Sequence, residues 1–213
     1  MTTKMIHVFI EIEREIIPVG QLWANSRKGK DHASFQYNAS WLTNQSHFAL
    51  EPALALTQGS FYTDNSQNIF GSIGDSAPDR WGRMLMRRAE AHRAREASER
   101  PHTLNEIDYL LGVNDEVRQG SLRFKEKIDG PFLAQNNNRS IPPLLELPKL
   151  LSATEHVLRD EETDADLKIL LAPGGSLGGA RPKASVRDKN GQLMIAKFPS
   201  VNDHFNTVLW EAV

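Results

Sequence analysis

From Pro173 to Phe198 the chain reads Pro-Gly-Gly-Ser-Leu-Gly-Gly-Ala-Arg-Pro-Lys-Ala-Ser-Val-Arg-Asp-Lys-Asn-Gly-Gln-Leu-Met-Ile-Ala-Lys-Phe, and no other stretch restricts the fold as strongly. Gly174, Gly175, Gly178 and Gly179 give a backbone that can turn its N–H groups inward around an anion. Lys183 follows and opens a strand, Asp188-Lys-Asn190-Gly191 is a hairpin turn signal, and Gln192–Phe198 forms an apolar strand carrying Lys197. A lysine fixed on a strand beside such a turn supplies the point charge that phosphate groups require. The order glycine turn, strand, tight turn, strand is therefore written into this segment.

Three chemistries share these letters. Gly174-Gly175-Ser176-Leu177-Gly178 matches the Gly-x-Ser-x-Gly nucleophile elbow, but that elbow follows a strand and precedes a helix, the reverse of the order here. Gly174 and Gly179 have the spacing of a Walker loop, yet Ala180-Arg181 stands where Lys-Ser/Thr is needed. The third is the kinase arrangement, in which a glycine loop covers the phosphates and a strand lysine reaches them. It stays open beside a plain surface turn. On the kinase reading Lys197 pairs with Glu211, 14 residues further on; on the other it lies at a sheet edge with its ammonium in water. Lys183 has the same alternatives: to order the turn, to meet phosphate, or to be a solvated charge.

The first ~70 residues carry short alternating segments, at residues 5–12, Val19–Trp23 and Ser34–Tyr37, that predict a small antiparallel sheet. At Ala77-Pro-Asp-Arg-Trp-Gly-Arg83 the period changes to that of a helix, with Pro78 in the first turn, Asp79 at the positive end of the dipole and an end near Glu96. Thr103–Leu111 predicts a second helix, capped by Thr103 with Glu106 and stopped by a left-handed Gly112. A strand at Ser121–Lys125 and a loop over Pro131–Pro143 follow. Two further helices are expected, one built on Leu147, Leu150, Leu151, Val157 and Leu158, and one over Asp164–Leu171 ended by Pro173. Thr207 to Val213 reads as the start of another helix, which predicts that these residues belong to a longer protein.

Composition narrows the chemistry by exclusion. Lys plus Arg number 25 against 27 Asp plus Glu, so net charge gives no argument for nucleic-acid binding. With no cysteine there is neither a disulfide framework nor a thiolate metal site, and the seven histidines never fall at metal-ligand spacing. No segment approaches the roughly 20 apolar residues of a membrane span, and none has the form of a signal peptide. A soluble cytoplasmic protein is the expectation.

Several motifs together resemble one family. Gly-Gly-Ser-Leu-Gly-Gly-Ala-Arg-Pro-Lys-Ala, Ile-Ala-Lys-Phe-Pro-Ser and Trp-Glu-Ala-Val, with Asp75–Arg83 and Tyr109–Phe124 upstream, are similar to the HipA-like toxin kinases of bacterial type II toxin–antitoxin systems. The resemblance runs from about residue 70 to the end of the sequence. It implies an α+β fold: a β-rich N-terminal subdomain with helices over residues 1–130, a linker at 131–143, and over 144–213 the beginning of a PI3/4-kinase-like N-lobe, without the C-lobe. It implies a serine/threonine protein kinase that uses ATP and Mg2+, a HipB-like helix-turn-helix antitoxin as partner, operator DNA reached through that antitoxin, and a protein substrate. The implied ATP-binding set is Gly174, Gly175, Ser176, Leu177, Gly178, Gly179, Ala180, Lys183, Lys197 and Glu211, with Ser176 the candidate autophosphorylation site. No catalytic residue and no metal ligand falls within these 213 residues, so weak nucleotide binding and negligible phosphoryl transfer are expected of them alone. A non-catalytic module that docks an antitoxin or a partner kinase is the alternative. Arg80 and Arg83 are expected to tie their helix to the kinase lobe with Trp81 packed between, and the arginine-rich stretch 80–95 reads either as a solvated helix face or as a contact for DNA phosphate.

Overall fold

The computed structural model describes residues 2–27, 30–64, 67–133, 141–175 and 179–199. Seven strands run β1 (Thr2–Ile12), β2 (Glu15–Arg27), β3 (Lys30–Tyr37), β4 (Ser60–Tyr62), β5 (Leu122–Lys125), β6 (Lys183–Arg187) and β7 (Leu193–Lys197). The helices are α1 (Ala39–Leu42), α2 (Gly71–Gly74), α3 (Arg80–Glu96), α4 (Glu106–Gly112), α5 (Leu147–Leu158) and α6 (Asp164–Gly174). The fold is α+β. None of the described helices is long and apolar enough to cross a membrane.

The first five strands form one antiparallel sheet in the order β4-β3-β2-β1-β5. Ile6, Val8 and Ile10 alternate along β1 and all point into the core, where Leu22, Phe35, Trp41, Leu110 and Phe124 meet them. Both central strands exceed the sequence expectation. β1 and β2 are joined at Glu13 and Arg14, which take φ of 50° and 71° without glycine. Val8 pairs with Gly20 but Phe9 pairs with Pro18, so Val19 is a bulge residue, and the bulge admits a proline to the sheet.

A second core lies under the β6–β7 hairpin. Trp81 and Leu85 of α3, Leu150 and Val157 of α5, Leu167 and Leu170 of α6, and Ala184, Val186 and Phe198 form it. The hairpin turn is as the sequence predicts: Asp188 Oδ1 accepts from the amides of Asn190 and Gln192 at 2.8 Å, and Gly191 has φ 79°. On the other edge of β6 the chain at Pro142–Pro143 runs alongside, with the Arg187 amide donating to the Pro142 carbonyl at 2.9 Å. Leu193, Met194 and Ile195 on β7 are exposed.

Four helix ends differ from the sequence reading. Helix α3 begins at Arg80 with Asp79 as its N-cap, so Pro78 precedes the first turn and is buried. Helix α4 is capped by Asn105, whose side chain accepts from the Asp108 amide at 2.9 Å while Asp108 accepts from the Asn105 amide at 3.1 Å, a box set two residues beyond Thr103. The chain leaves α4 through an extended Val113 (ψ 131°) instead of a left-handed Gly112. Helix α6 runs past Leu171 to Gly174 and includes Pro173, because Ala172 packs against Val117 and Ile141 and holds the last turn in place despite the missing donor.

One buried cation ties the sheet layer to the segment leading into α3. No part of the Arg118 side chain is exposed. Its guanidinium donates to the carbonyls of Ser76 (2.8 Å), Leu110 (3.0 Å) and Val113 (3.0 Å) and lies 4.8 Å over the Phe124 ring. Burial pushes Arg118 down to about 10 and raises the carboxyl of the neighbouring Asp115, 3.8 Å away.

The far end of α3 is held by charge. Arg93 donates to Glu90 at 2.7 and 2.8 Å and to Glu99 at 2.9 Å, and the His102 amide donates to Glu90 at 2.8 Å. The Arg93 hydrogen bonds hold the Glu90 carboxyl at about 2, below its ordinary 4.5. A carboxyl depressed on folding stabilises the folded state fully above its unfolded value and loses that contribution as pH falls through the folded one. The melting temperature is thus expected to drop between pH 4.5 and 2, and Glu90→Gln should flatten that part of the profile; an unchanged slope in the variant would count against the assignment.

Candidate functional site

The glycine-rich segment leaves the end of α6 and returns at the start of β6. Gly174 and Gly175 are buried, and their lack of side chains serves packing. A Cβ on Gly174 would lie 3.0 Å from Leu85 and 3.1 Å from the Trp81 indole nitrogen. From the other side, a Cβ on Gly82 would lie 2.3 Å from the Gly175 carbonyl oxygen, so α3 and the end of α6 touch backbone to backbone. Gly174 is the last residue of α6, so the helix runs into the glycine run that the sequence reading takes as a turn.

Beyond the helix, Ser176, Leu177 and Gly178 lie outside the described residues, as does Glu211. The chain re-enters at Gly179 (φ 91°), with Gly179 and Ala180 exposed. Here the start of α3 takes hold of it. The Gly179 amide donates to Asp79 Oδ2 at 2.6 Å, and the Trp81 amide donates to the Gly179 carbonyl at 3.3 Å. The Trp81 indole N–H donates to the Lys183 carbonyl at 3.1 Å, at the first residue of β6.

Lys183 and Lys197 are direct partners across the β6–β7 register, so the two side chains leave the hairpin on one face. Ala184 and Ala196 occupy the opposite, core-directed face. A Cβ on Gly179 would come within 2.9 Å of the Lys183 ammonium, which places that cation at the glycine turn. The Lys183 ammonium thus lies at Gly179, and Lys197 faces Lys183 across the hairpin.

Two expectations for α3 need correction. Arg83 does not reach the hairpin; it forms a bidentate pair with Glu106 at 2.6 and 2.7 Å, donates to the Pro78 carbonyl and lies 4.6 Å over the Tyr109 ring. The Glu106 carboxylate holds its guanidinium above the ordinary arginine range. Arg80 is exposed. The tie to the hairpin runs instead through Asp79 and Trp81. A separate groove of about 370 Å³ between α3 and α6 is lined by Met86, His92, Asp164 and Leu171 among others, and none of the sequence-predicted site residues borders it. Among the described residues no group of His, Asp and Glu is placed to hold a metal ion.

The fold thus defines a five-stranded antiparallel sheet with attendant helices, joined through α3 to a glycine turn and a lysine-bearing hairpin. Residues 11–107, from the end of β1 into the start of α4, match the family model of the HipA N-terminal domain, which supports a HipA-like protein, N-terminal portion. The match reaches further toward the N-terminus than the motifs that carry the sequence resemblance and takes in Asp79, Trp81 and Gly82. No curated protein matches the chain.

Proposed function

We propose that the chain is the N-terminal portion of a HipA-like serine/threonine protein kinase toxin, and that its glycine turn and hairpin grip the phosphates of ATP as the start of a kinase N-lobe. The observation that carries this reading is the pairing of Lys183 with Lys197 on one face of the hairpin, with the Lys183 ammonium at Gly179. A cation at a turn whose glycine has no side chain, with a second lysine opposite it on the hairpin, would suit the triphosphate tail of a nucleotide. ATP would supply the transferable phosphoryl group and arrive with its Mg2+. Lys183 and Lys197 would orient the tail. In this architecture the base for the substrate hydroxyl and the metal ligands belong to a C-lobe, and these 213 residues carry no matching motif. Binding without turnover is the activity proposed for them. Ser176 is the proposed autophosphorylation site of the intact kinase, where about two negative charges would oppose a bound triphosphate. A HipB-like helix-turn-helix antitoxin is the proposed partner, in the cytoplasm.

Calorimetric titration with Mg-ATP tests the reading. The purified chain should bind, and Lys197→Ala and Lys183→Ala should each weaken binding by about tenfold, equivalent to ~1.4 kcal/mol. Wild-type protein that takes up no nucleotide at millimolar ATP, or variants that bind as tightly as wild type, would refute it.

A further inference from the structure

An N-cap side chain ordinarily accepts from the orphan amides of its own first turn. Asp79 does not: it caps α3 by position yet makes no side-chain bond to that helix. Its Oδ2 accepts instead from the Gly179 amide, 100 residues away, at 2.6 Å, a short contact of the kind a carboxylate acceptor makes. The exchange is mutual, because the Trp81 amide, one of the orphan donors at the helix start, gives its hydrogen bond to the Gly179 carbonyl. One peptide residue of the turn thus caps the helix, while the cap residue of the helix fixes the turn. The two hydrogen bonds form a reciprocal pair closed between distant segments. The contacts on either side, Gly82 against Gly175 and the Trp81 indole on Lys183, set both ends of the glycine segment on the same helix start.

We infer that Asp79 is a positioning residue for the glycine-rich turn: its carboxylate, and not a bound anion, fixes the backbone at Gly179, and α3 is the seat on which the turn is set. The seat itself follows from geometry alone; its consequence for nucleotide affinity rests on the ATP reading above. While the contact is closed the Gly179 amide is committed to Asp79 and is not a donor for a phosphate.

Single-residue amide exchange by NMR on the whole chain tests the seat without any ligand. In Asp79→Ala the Gly179 amide should exchange about tenfold faster or more. Asp79→Asn, which keeps a neutral acceptor, should recover most of the protection, and amides of β1 to β3 should stay near their wild-type rates in both. Unchanged exchange at Gly179 in Asp79→Ala overturns the inference. If the alanine variant exchanges faster throughout, the asparagine variant decides: acceleration confined to Gly179 and its neighbours supports the seat, and uniform acceleration overturns it. With Mg-ATP as probe, Asp79→Ala should bind about tenfold more weakly than wild type, and equal affinity would remove the effect on the ligand. A wild-type chain that binds no ATP while Gly179 behaves as expected would defeat the nucleotide reading and leave the seat standing.

Discussion

Replacing Trp81 by alanine is expected to lower the unfolding free energy by roughly 3–5 kcal/mol, the range for deleting a fully buried large aromatic side chain. Trp81 is 1% exposed and lies in the second core with Leu85, Leu150, Val157, Leu170 and Val186. Two costs add. The removed indole leaves a void beside Gly174, where there is no side chain to fill it, and the Lys183 carbonyl loses its donor. Domains of this size hold only about 5–15 kcal/mol in total, so a large share of the stability is at stake. Urea unfolding followed by circular dichroism would measure it. Trp81→Phe should cost less, since most of the apolar volume stays and only the hydrogen bond goes. A loss under about 1 kcal/mol in Trp81→Ala would mean that the second core does not depend on α3.

Arg118→Ala is expected to cost a similar amount, about 3–5 kcal/mol, for an electrostatic reason. The guanidinium is wholly enclosed and serves the carbonyls of Ser76, Leu110 and Val113 at once. Without it, three buried carbonyls lose their donor, and the buried Asp115 carboxylate keeps only Arg123, 3.7 Å away, as a neighbouring cation. Lysine should rescue little, because one ammonium on a narrow stem cannot span three carbonyls and also lie flat on Phe124. The urea midpoint of Arg118→Lys is therefore expected near that of Arg118→Ala. A lysine variant with wild-type stability would show that charge alone, without the planar fork, is what the site requires.

The parts of the fold that could be read from the sequence are those with local causes. The β6–β7 hairpin was legible because Asp188 and Gly191 together specify a turn. Helix α3 was legible from the spacing of Trp81, Leu85 and Arg88. The β1–β2 turn was not, since Glu13 and Arg14 adopt left-handed backbone that neither residue advertises, and Pro18 hid the first half of β2 because its bulge depends on the partner strand. Asn105 displaced Thr103 as the cap of α4 because Asp108 sits three residues on and completes the box. The placement of Lys183 and Lys197 on facing strands is legible from their strand context. The role of Asp79 is not, because its partner lies 100 residues away and a local reading sees only the helix dipole. Gly174 and Gly179 show the limit most plainly: one permits close contact with α3 and the other turns the chain at φ 91°, yet both are written with the same letter.

Helix α3 falls within the residues matched to the HipA N-terminal domain, but Trp81 and Leu85 are sheltered by α5, α6 and the hairpin, which lie beyond that match. A recombinant piece cut at residue 107 would carry these two side chains bare into solvent and leave Asn105 capping a severed α4. Anyone excising the module for crystallisation or partner screening is better served by an endpoint past β7.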